Sequence, residues 1–180
     1  RKRTGMGIYD REYYQEEAPR GFSLSGGSRM MVTQLVIVTA AIALIDLFTS
    51  PVEGQKSHWL SGFLALNADL YTRPWEIWNL LSYGFAHTSI DVNIWHVGMN
   101  MFVLWMFGRV IESRLGRLEF LWFYLAAIVG AGLVWLGMVN AWSLGTGGGI
   151  PLSHMVGASG GVTAVFILFV LYYPRQTVYF

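Results

Sequence analysis

Residues 155–173 read MVGASGGVTAVFILFVLYY, a run of nineteen residues without a charged side chain. A helix needs about 20 mostly apolar residues to cross the hydrocarbon core of a bilayer, so this run is long enough for one span. Near its beginning lies a group of small residues, Gly157 to Gly161, with Ser159 at its centre. The run therefore predicts a membrane-spanning helix with a polar residue near its first end.

Three other stretches have a similar length and composition. We predict membrane spans at about residues 30–49, 92–111, 120–139 and 155–173. Between the first two spans, residues 50–91 mix Pro, Gly and Asn with many aromatic residues. This mixture suits amphipathic pieces that lie in the headgroup region rather than a further span.

The loops between the later spans follow from the charged and glycine-rich stretches. We predict a short charged loop between the second and third spans, carrying Glu112, Arg114, Arg117 and Glu119. A Gly-rich loop, Ala141 to His154, is expected between the third and fourth spans.

The composition agrees with a membrane protein. Of the 180 residues, 54% are hydrophobic and 13% are charged, whereas soluble domains carry about 25% charged residues. The absence of cysteine excludes disulfides and thiolate chemistry. A net charge of +1 gives no basic surface of the kind that nucleic acids require. We therefore predict an all-α polytopic membrane protein that binds no nucleic acid, and we expect no metal and no cofactor.

The distribution of Lys and Arg sets the expected orientation. Residues 1–29 contain six of them, residues 50–91 two, residues 109–119 three and the Gly-rich loop none. Because positive residues favour the cytoplasmic side, residues 1–29 are predicted to be a flexible cytoplasmic tail, followed by a membrane domain over residues 30–180. The second and fourth spans then both run from outside to inside. We expect a bacterial inner membrane as the compartment.

Three polar residues inside the predicted spans are candidates for chemistry: His96, Asn100 and Ser159. Polar groups in hydrocarbon are costly and usually line a cavity or pair with one another. His96 and Asn100 are four residues apart, so on a helix they project from one face. His96 and Ser159 each lie about four residues inside the outer end of their span, roughly 6 Å deep. Since the two spans run in the same direction, we expect all three side chains in one layer near the outer surface.

Each of these features also has a purely structural interpretation. Small residues such as Gly157, Gly160 and Gly161 let neighbouring helices approach closely, and His96 with Asn100 would form interhelical hydrogen bonds. In the functional interpretation, the small residues make room for a substrate backbone. The free N–H groups and positive dipole of a helix N-terminus then suit a developing oxyanion.

Three motifs, in this order, resemble the rhomboid protease family from about residue 59 to residue 180. Residues 96–100 (HVGMN) correspond to the family's His-x-x-x-Asn, and residues 108–116 (GRVIESRLG) to the turn that follows it. Residues 157–160 (GASG) correspond to the nucleophile motif. The resemblance implies a rhomboid-like helix bundle of six or more spans, of which four lie in this sequence.

The resemblance also implies a role for each motif. Ser159 would be the nucleophile of a Ser–His dyad. His96 and Asn100, with the backbone N–H of Ser159, would bind the oxyanion. Glu112 and Arg114 would hold the cytoplasmic turn.

The general base is the part of the family pattern that this sequence does not match. In the family it is a histidine on a later span, whereas the four histidines here all precede Ser159: His58, His87, His96 and His154. His96 could act as the base, but the resemblance places it in the oxyanion site. We therefore expect the base, and further spans, beyond Phe180.

Two positions in the first long loop compare differently with the family. Asn79 follows Trp78 where the family commonly has an arginine, so an arginine contact is not expected there. His87 matches a histidine that the family often carries, and we expect it to hold the loop through a hydrogen bond.

The predicted function is an intramembrane serine endopeptidase that cleaves membrane-spanning protein substrates near the outer face of the bilayer. One alternative is a rhomboid-like pseudoprotease that binds membrane helices, and another is an unrelated transporter or channel. The presence of Ser159, His96 and Asn100 together favours the protease. A transporter would usually show charged groups near mid-membrane or broken helices in repeated halves, and the sequence shows neither.

Overall fold

The computed structural model describes residues 30–48, 59–87, 90–147 and 153–175. The predicted tail, residues 1–29, lies outside the described residues. Most of the described chain is helical, and the helices are α1 (Met31–Leu47), α2 (Trp59–Leu64), α3 (Asn79–Ser82), α4 (Ile90–Leu115), α5 (Arg117–Thr146) and α6 (Ser159–Tyr172).

Two short strands also occur, which the all-α prediction did not include. Strand β1 (Leu66–Asn67) pairs antiparallel with β2 (His154–Met155), so that Leu66 lies opposite Met155. The backbone N–H of Ala68 extends this pairing by donating to the carbonyl of Ser153 at 3.0 Å. The ladder joins the loop that follows α2 to the segment that precedes α6. Two 3-10 turns, Leu70–Thr72 and Pro74–Glu76, complete the loop between β1 and α3.

Helices α1, α4, α5 and α6 lie at the four predicted spans. Within the described ranges, only α5 is both long and apolar enough to cross a membrane, whereas α1 and α6 are shorter apolar helices. Helix α4 has 26 residues but includes several charged and polar ones. An apolar helical bundle is therefore observed, and the number of membrane spans stays a prediction.

Both loops between the later helices, the charged one and the Gly-rich one, are shorter in the structure than predicted. Helix α4 ends at Leu115 and α5 begins at Arg117, so Gly116 alone separates them. Its φ of +96° lies in the region that favours glycine, and this one residue reverses the chain. Helix α5 then continues to Thr146, which makes the first part of the predicted Gly-rich loop helical.

Helices α4 and α6 pack side by side in the same direction. At their first ends, His96 lies beside Gly157. Further along, the ring centroids of Phe107 and Phe169 are 4.6 Å apart. At the far ends, the Arg114 guanidinium carbon lies 4.3 Å from the centroid of the Tyr172 ring. This order of contacts confirms the prediction that the second and fourth segments run parallel.

Helices α1 and α5 run in the opposite direction to α4. The first residues of α1 meet Glu112 near the end of α4. At the start of α5, Phe120 packs against Gly108, and near its end the Asn140 side chain donates to the carbonyl of Ala68 at 3.1 Å. The core between these helices is formed by fully buried side chains, among them Leu104, Ile111, Phe120, Tyr124, Ile128 and Val165.

Candidate active site

Ser159 is the first residue of α6, and its side chain is exposed. We predicted it one turn inside a helix starting near residue 155. The helix starts later because His154 and Met155 pair as a strand and Gly157 breaks the helical backbone. The residue before the helix, Ala158, provides no side-chain cap. The hydroxyl of Ser159 therefore lies at an uncapped, positive helix end.

Gly157 brings Ser159 and His96 to the same place. Its φ of +129° is one that residues with side chains rarely adopt, and its N–H donates to the carbonyl of Tyr83 at 2.9 Å. A Cβ atom placed on Gly157 would lie 3.8 Å from Ser159 Oγ and 3.9 Å from His96 Nε2. These two atoms therefore line the same space beside Gly157. The parallel packing of α4 and α6 predicts that the two residues lie at the same end of the bundle.

Asn100 joins this group through His87. The Nδ2 atom of Asn100 lies 3.4 Å from His87 Nε2, and the backbone nitrogen of Ala158 lies 3.5 Å from the same atom. The ring of His87 is 6.2 Å from the ring of His96. The structure thus brings together His96, Asn100 and Ser159, the three residues that the sequence singled out.

His87 is buried, and its environment changes its acidity. Burial lowers its pKa to about 4, and the nearby His96 acts in the same direction. A histidine with this pKa is neutral at physiological pH. His87 therefore offers an uncharged imidazole to the groups around it.

Tyr83 supports the site and was not singled out from the sequence. Its hydroxyl donates to the carbonyl of Ile128 on α5 at 2.6 Å, and its own carbonyl accepts the N–H of Gly157. Burial raises the pKa of Tyr83 to about 12, so the hydroxyl stays protonated and remains a donor. Nothing in the sequence distinguishes it from the other aromatic residues of 50–91.

The other two glycines of the motif are packing positions. A Cβ atom on Gly160 would lie 2.6 Å from Ala131 Cβ, and one on Gly161 would lie 2.7 Å from Tyr124 Cε2. Both neighbours belong to α5. The close approach of α6 to α5 therefore depends on these two glycines, in line with the packing role that the small residues suggested.

The remaining histidines lie elsewhere. His154 is exposed on β2, opposite Asn67, and His58 lies outside the described residues. Across residues 30–48, 59–87, 90–147 and 153–175, no group of three His, Asp or Glu side chains is arranged to hold a metal ion.

Glu112 and Arg114 lie at the opposite end of α4 from the candidate site. The buried Glu112 carboxylate accepts the N–H groups of Met31 and Val32, each at 2.7 Å. Arg114 lies over the ring of Tyr172. The two residues predicted to hold the turn thus bind the neighbouring helices α1 and α6.

Chemically, the site combines an exposed hydroxyl, an uncapped helix N-terminus, an imidazole and a carboxamide. Such a set of donors suits an oxygen atom that becomes negatively charged during an acyl transfer. Of these groups, the serine hydroxyl is the usual nucleophile of an acyl transfer.

Comparisons with known proteins identify the family of the chain. A family model described as the Rhomboid domain matches residues 74–180. Rhomboid-like protein 17, chloroplastic, from Arabidopsis thaliana is 29% identical over 158 residues, covering 70% of this chain and 49% of that protein. The chain thus spans about half the length of this relative. No solved structure gives a significant match. The family model covers more than half of the sequence, and the chain belongs to the rhomboid family of membrane proteins.

Proposed function

We propose that this chain carries the nucleophile and the oxyanion site of an intramembrane serine endopeptidase. The observation that supports this most is that Ser159 Oγ and His96 Nε2 both lie within 4 Å of one position, that of a Cβ atom on Gly157, at the N-terminus of α6. A residue used only for packing would not need an exposed hydroxyl at that point.

In this proposal the reaction is an acyl transfer in two steps. The Ser159 oxygen attacks the carbonyl carbon of the substrate peptide bond, and its proton passes to a general base. The anionic oxygen that forms is bound by the side chains of His96 and Asn100 and by the N–H of Ser159. The C–N bond then breaks, the base returns the proton to the leaving amine, and water hydrolyses the resulting ester.

We propose that the general base is a histidine outside residues 1–180. His87 is a poor candidate because its Nε2 faces the N–H groups of Asn100 and Ala158. His154 lies on the strand that precedes the site and is exposed. His96 is assigned to the oxyanion, and substitution of His96 by Ala tests that assignment.

The proposed substrates are membrane-spanning proteins, cleaved near the outer face of a bilayer that four spans of this chain cross. The Lys and Arg distribution supports a cytoplasmic N-terminus, which puts the first ends of α4 and α6 outside. We retain a bacterial inner membrane as the proposed compartment. The name of the Arabidopsis relative contains the word chloroplastic, which indicates another compartment for that protein.

The orientation can be measured with single cysteines because the chain has none of its own. Ser113 and Thr146 are exposed near opposite ends of the bundle. In intact cells, a membrane-impermeant maleimide should label Thr146→Cys directly and Ser113→Cys only after permeabilisation. The reverse pattern would overturn the proposed orientation.

The function itself is tested by removing the hydroxyl of Ser159. In the full-length protein, Ser159→Ala should abolish cleavage of a single-span reporter in liposomes, with an unchanged unfolding temperature. Thr163→Ala is the matched control, since it removes an exposed hydroxyl one turn further along α6 and should leave cleavage intact. Cleavage by the Ser159→Ala protein would end the case for this nucleophile. A folded wild-type protein that binds the reporter without cleaving it would instead be a pseudoprotease.

A further inference from the structure

His87 occupies a position between the two parts of the proposed site. It follows α3 in the chain, is almost fully buried, and lies outside any helix or strand. Its Nε2 atom faces Asn100 Nδ2 at 3.4 Å and the backbone nitrogen of Ala158 at 3.5 Å. One imidazole atom thus contacts the middle of α4 and the residue directly before Ser159.

The chemistry of these neighbours fixes the protonation state that the contacts require. A backbone N–H can only donate, so the contact with Ala158 requires an unprotonated Nε2. The proton of the neutral ring is then on Nδ1. Among the described side chains of α4, the titratable group that faces the ring is His96, and together with burial it favours the neutral form. Under these conditions Nε2 is an acceptor for both neighbours.

We infer that His87 is a positioning residue for the oxyanion site, holding the Asn100 amide and the Ala158 N–H through its unprotonated Nε2. This inference rests on the proposed function and goes beyond the loop-holding role that the sequence suggested. A carboxamide has two N–H groups, so the one that faces His87 fixes the plane of the amide. The second N–H of Asn100 is then available to an anionic oxygen. The other contact of Nε2, with the N–H of Ala158, fixes the backbone immediately before the N–H of Ser159.

The first test compares two substitutions that differ in one acceptor. His87→Leu fills the buried space without an acceptor, whereas the side-chain oxygen of His87→Gln can reach the position of Nε2. In the full-length protein we expect His87→Leu to lower kcat about 10–100-fold with little change in KM, a typical loss when a group that orients a functional residue is removed. His87→Gln should restore most of the rate. Equal rates for the two variants, or a loss confined to the unfolding temperature, would overturn the inference.

The second test does not depend on proteolysis. In ¹⁵N-histidine-labelled Ser159→Ala protein, NMR should find the His87 ring neutral, with the proton on Nδ1, from pH 5 to pH 8. The Asn100 side-chain amide signals should shift in the His87→Leu protein and return towards the original positions in His87→Gln. A proton on Nε2 in this range would overturn the inference even if the enzyme is active. If these signals are as expected but no cleavage occurs, the proposed function fails and the role of His87 in orienting Asn100 stands.

Discussion

The N-termini of α1 and α6 differ in how their first N–H groups are bonded. The N-terminus of α1 is closed, because both oxygens of the buried Glu112 carboxylate accept its first N–H groups at 2.7 Å. At the N-terminus of α6, the preceding residue Ala158 provides no side-chain cap, and the first side chain of the helix, Ser159, is exposed. A free helix end carries partial positive charge and unsatisfied donors. One end therefore has its charge neutralised inside the protein, and the other presents it to the site.

The uncapped end of α6 is held in position by other means. Gly160 and Gly161 let it pack closely against α5, and the N–H of Gly157 binds the carbonyl of Tyr83. Packing and backbone hydrogen bonds fix the position of a helix end without neutralising its dipole. The difference between the two ends indicates that the start of α1 is held by a buried charge, whereas the start of α6 is held by packing and backbone contacts that leave its dipole unneutralised, as the proposed site requires.

After the loss of the nucleophile itself, the largest expected effect comes from the donors beside the open end of α6. His96→Ala and Asn100→Ala should each reduce cleavage about 10²–10³-fold, the usual result of losing one oxyanion donor. Gly98→Ala is the control, since Gly98 lies between them on α4 and an added Cβ meets no atom within 4 Å. The rates of purified full-length variants would be compared in liposomes.

The same measurement identifies the role of His96. An oxyanion donor leaves slow residual activity when it is removed, whereas the loss of a general base should leave no more activity than Ser159→Ala does. Complete inactivity of a folded His96→Ala protein would therefore contradict the oxyanion assignment and make His96 the base.

A smaller effect, on stability rather than rate, is expected at the closed end. Glu112→Gln keeps the shape of the side chain but replaces one acceptor by a donor and removes the charge. Since hydrogen bonds to charged groups contribute about 1.5–3 kcal/mol each, the free energy of unfolding should fall by about 2–4 kcal/mol. Equilibrium unfolding in detergent measures this change, and the rate per folded molecule should not change.

Glu119→Gln is the control for this substitution. Glu119 is an exposed acid in the first turn of α5, where a charge contributes at most about 1 kcal/mol. If Glu112→Gln were no more destabilising than Glu119→Gln, the closed N-terminus of α1 would not be a source of stability.

The local part of the site could be predicted from the sequence, and the long-range part could not. The spacing of His96 and Asn100 fixes one helix face, and the Lys and Arg distribution predicted that α4 and α6 run parallel. By contrast, the contact between His87 and Ala158 joins residues 71 positions apart. No periodic pattern encodes such a contact, because it depends on how the loop after α3 folds over the ends of the helices.

The helix ends were the least accurate part of the fold prediction for a physical reason. The predicted spans followed the thickness of a bilayer, which sets a minimum length for a helix and not its last residue. Helix α5 continues to Thr146 because the left-handed conformation that ends it falls on Gly147, with a φ of +65°. Helix α6 starts late because residues 154–155 are held as a strand by the distant loop at residues 66–67.

The smallest effect is expected where the open end packs against α5. A Cβ atom on Gly160 would lie 2.6 Å from Ala131 Cβ, which is fixed to the α5 backbone and cannot rotate away. Gly160→Ala should therefore lower the free energy of unfolding by about 1–3 kcal/mol, as overpacking typically does. It should also slow cleavage, since the start of α6 must move away from α5. Gly130→Ala, where an added Cβ meets no atom within 4 Å, should leave cleavage unchanged and should not destabilise the protein, since Ala is favoured over Gly inside a helix.

A double substitution makes this test specific to the contact. In the Gly160→Ala, Ala131→Gly protein, the methyl group has moved from one helix to the other and the space between them is restored. If the contact is what matters, the double variant should be more stable than Gly160→Ala alone and should recover cleavage. If it is no more stable, α6 is not held by this packing, and the contrast between a helix end fixed by a charge and one fixed by close approach would have to be abandoned.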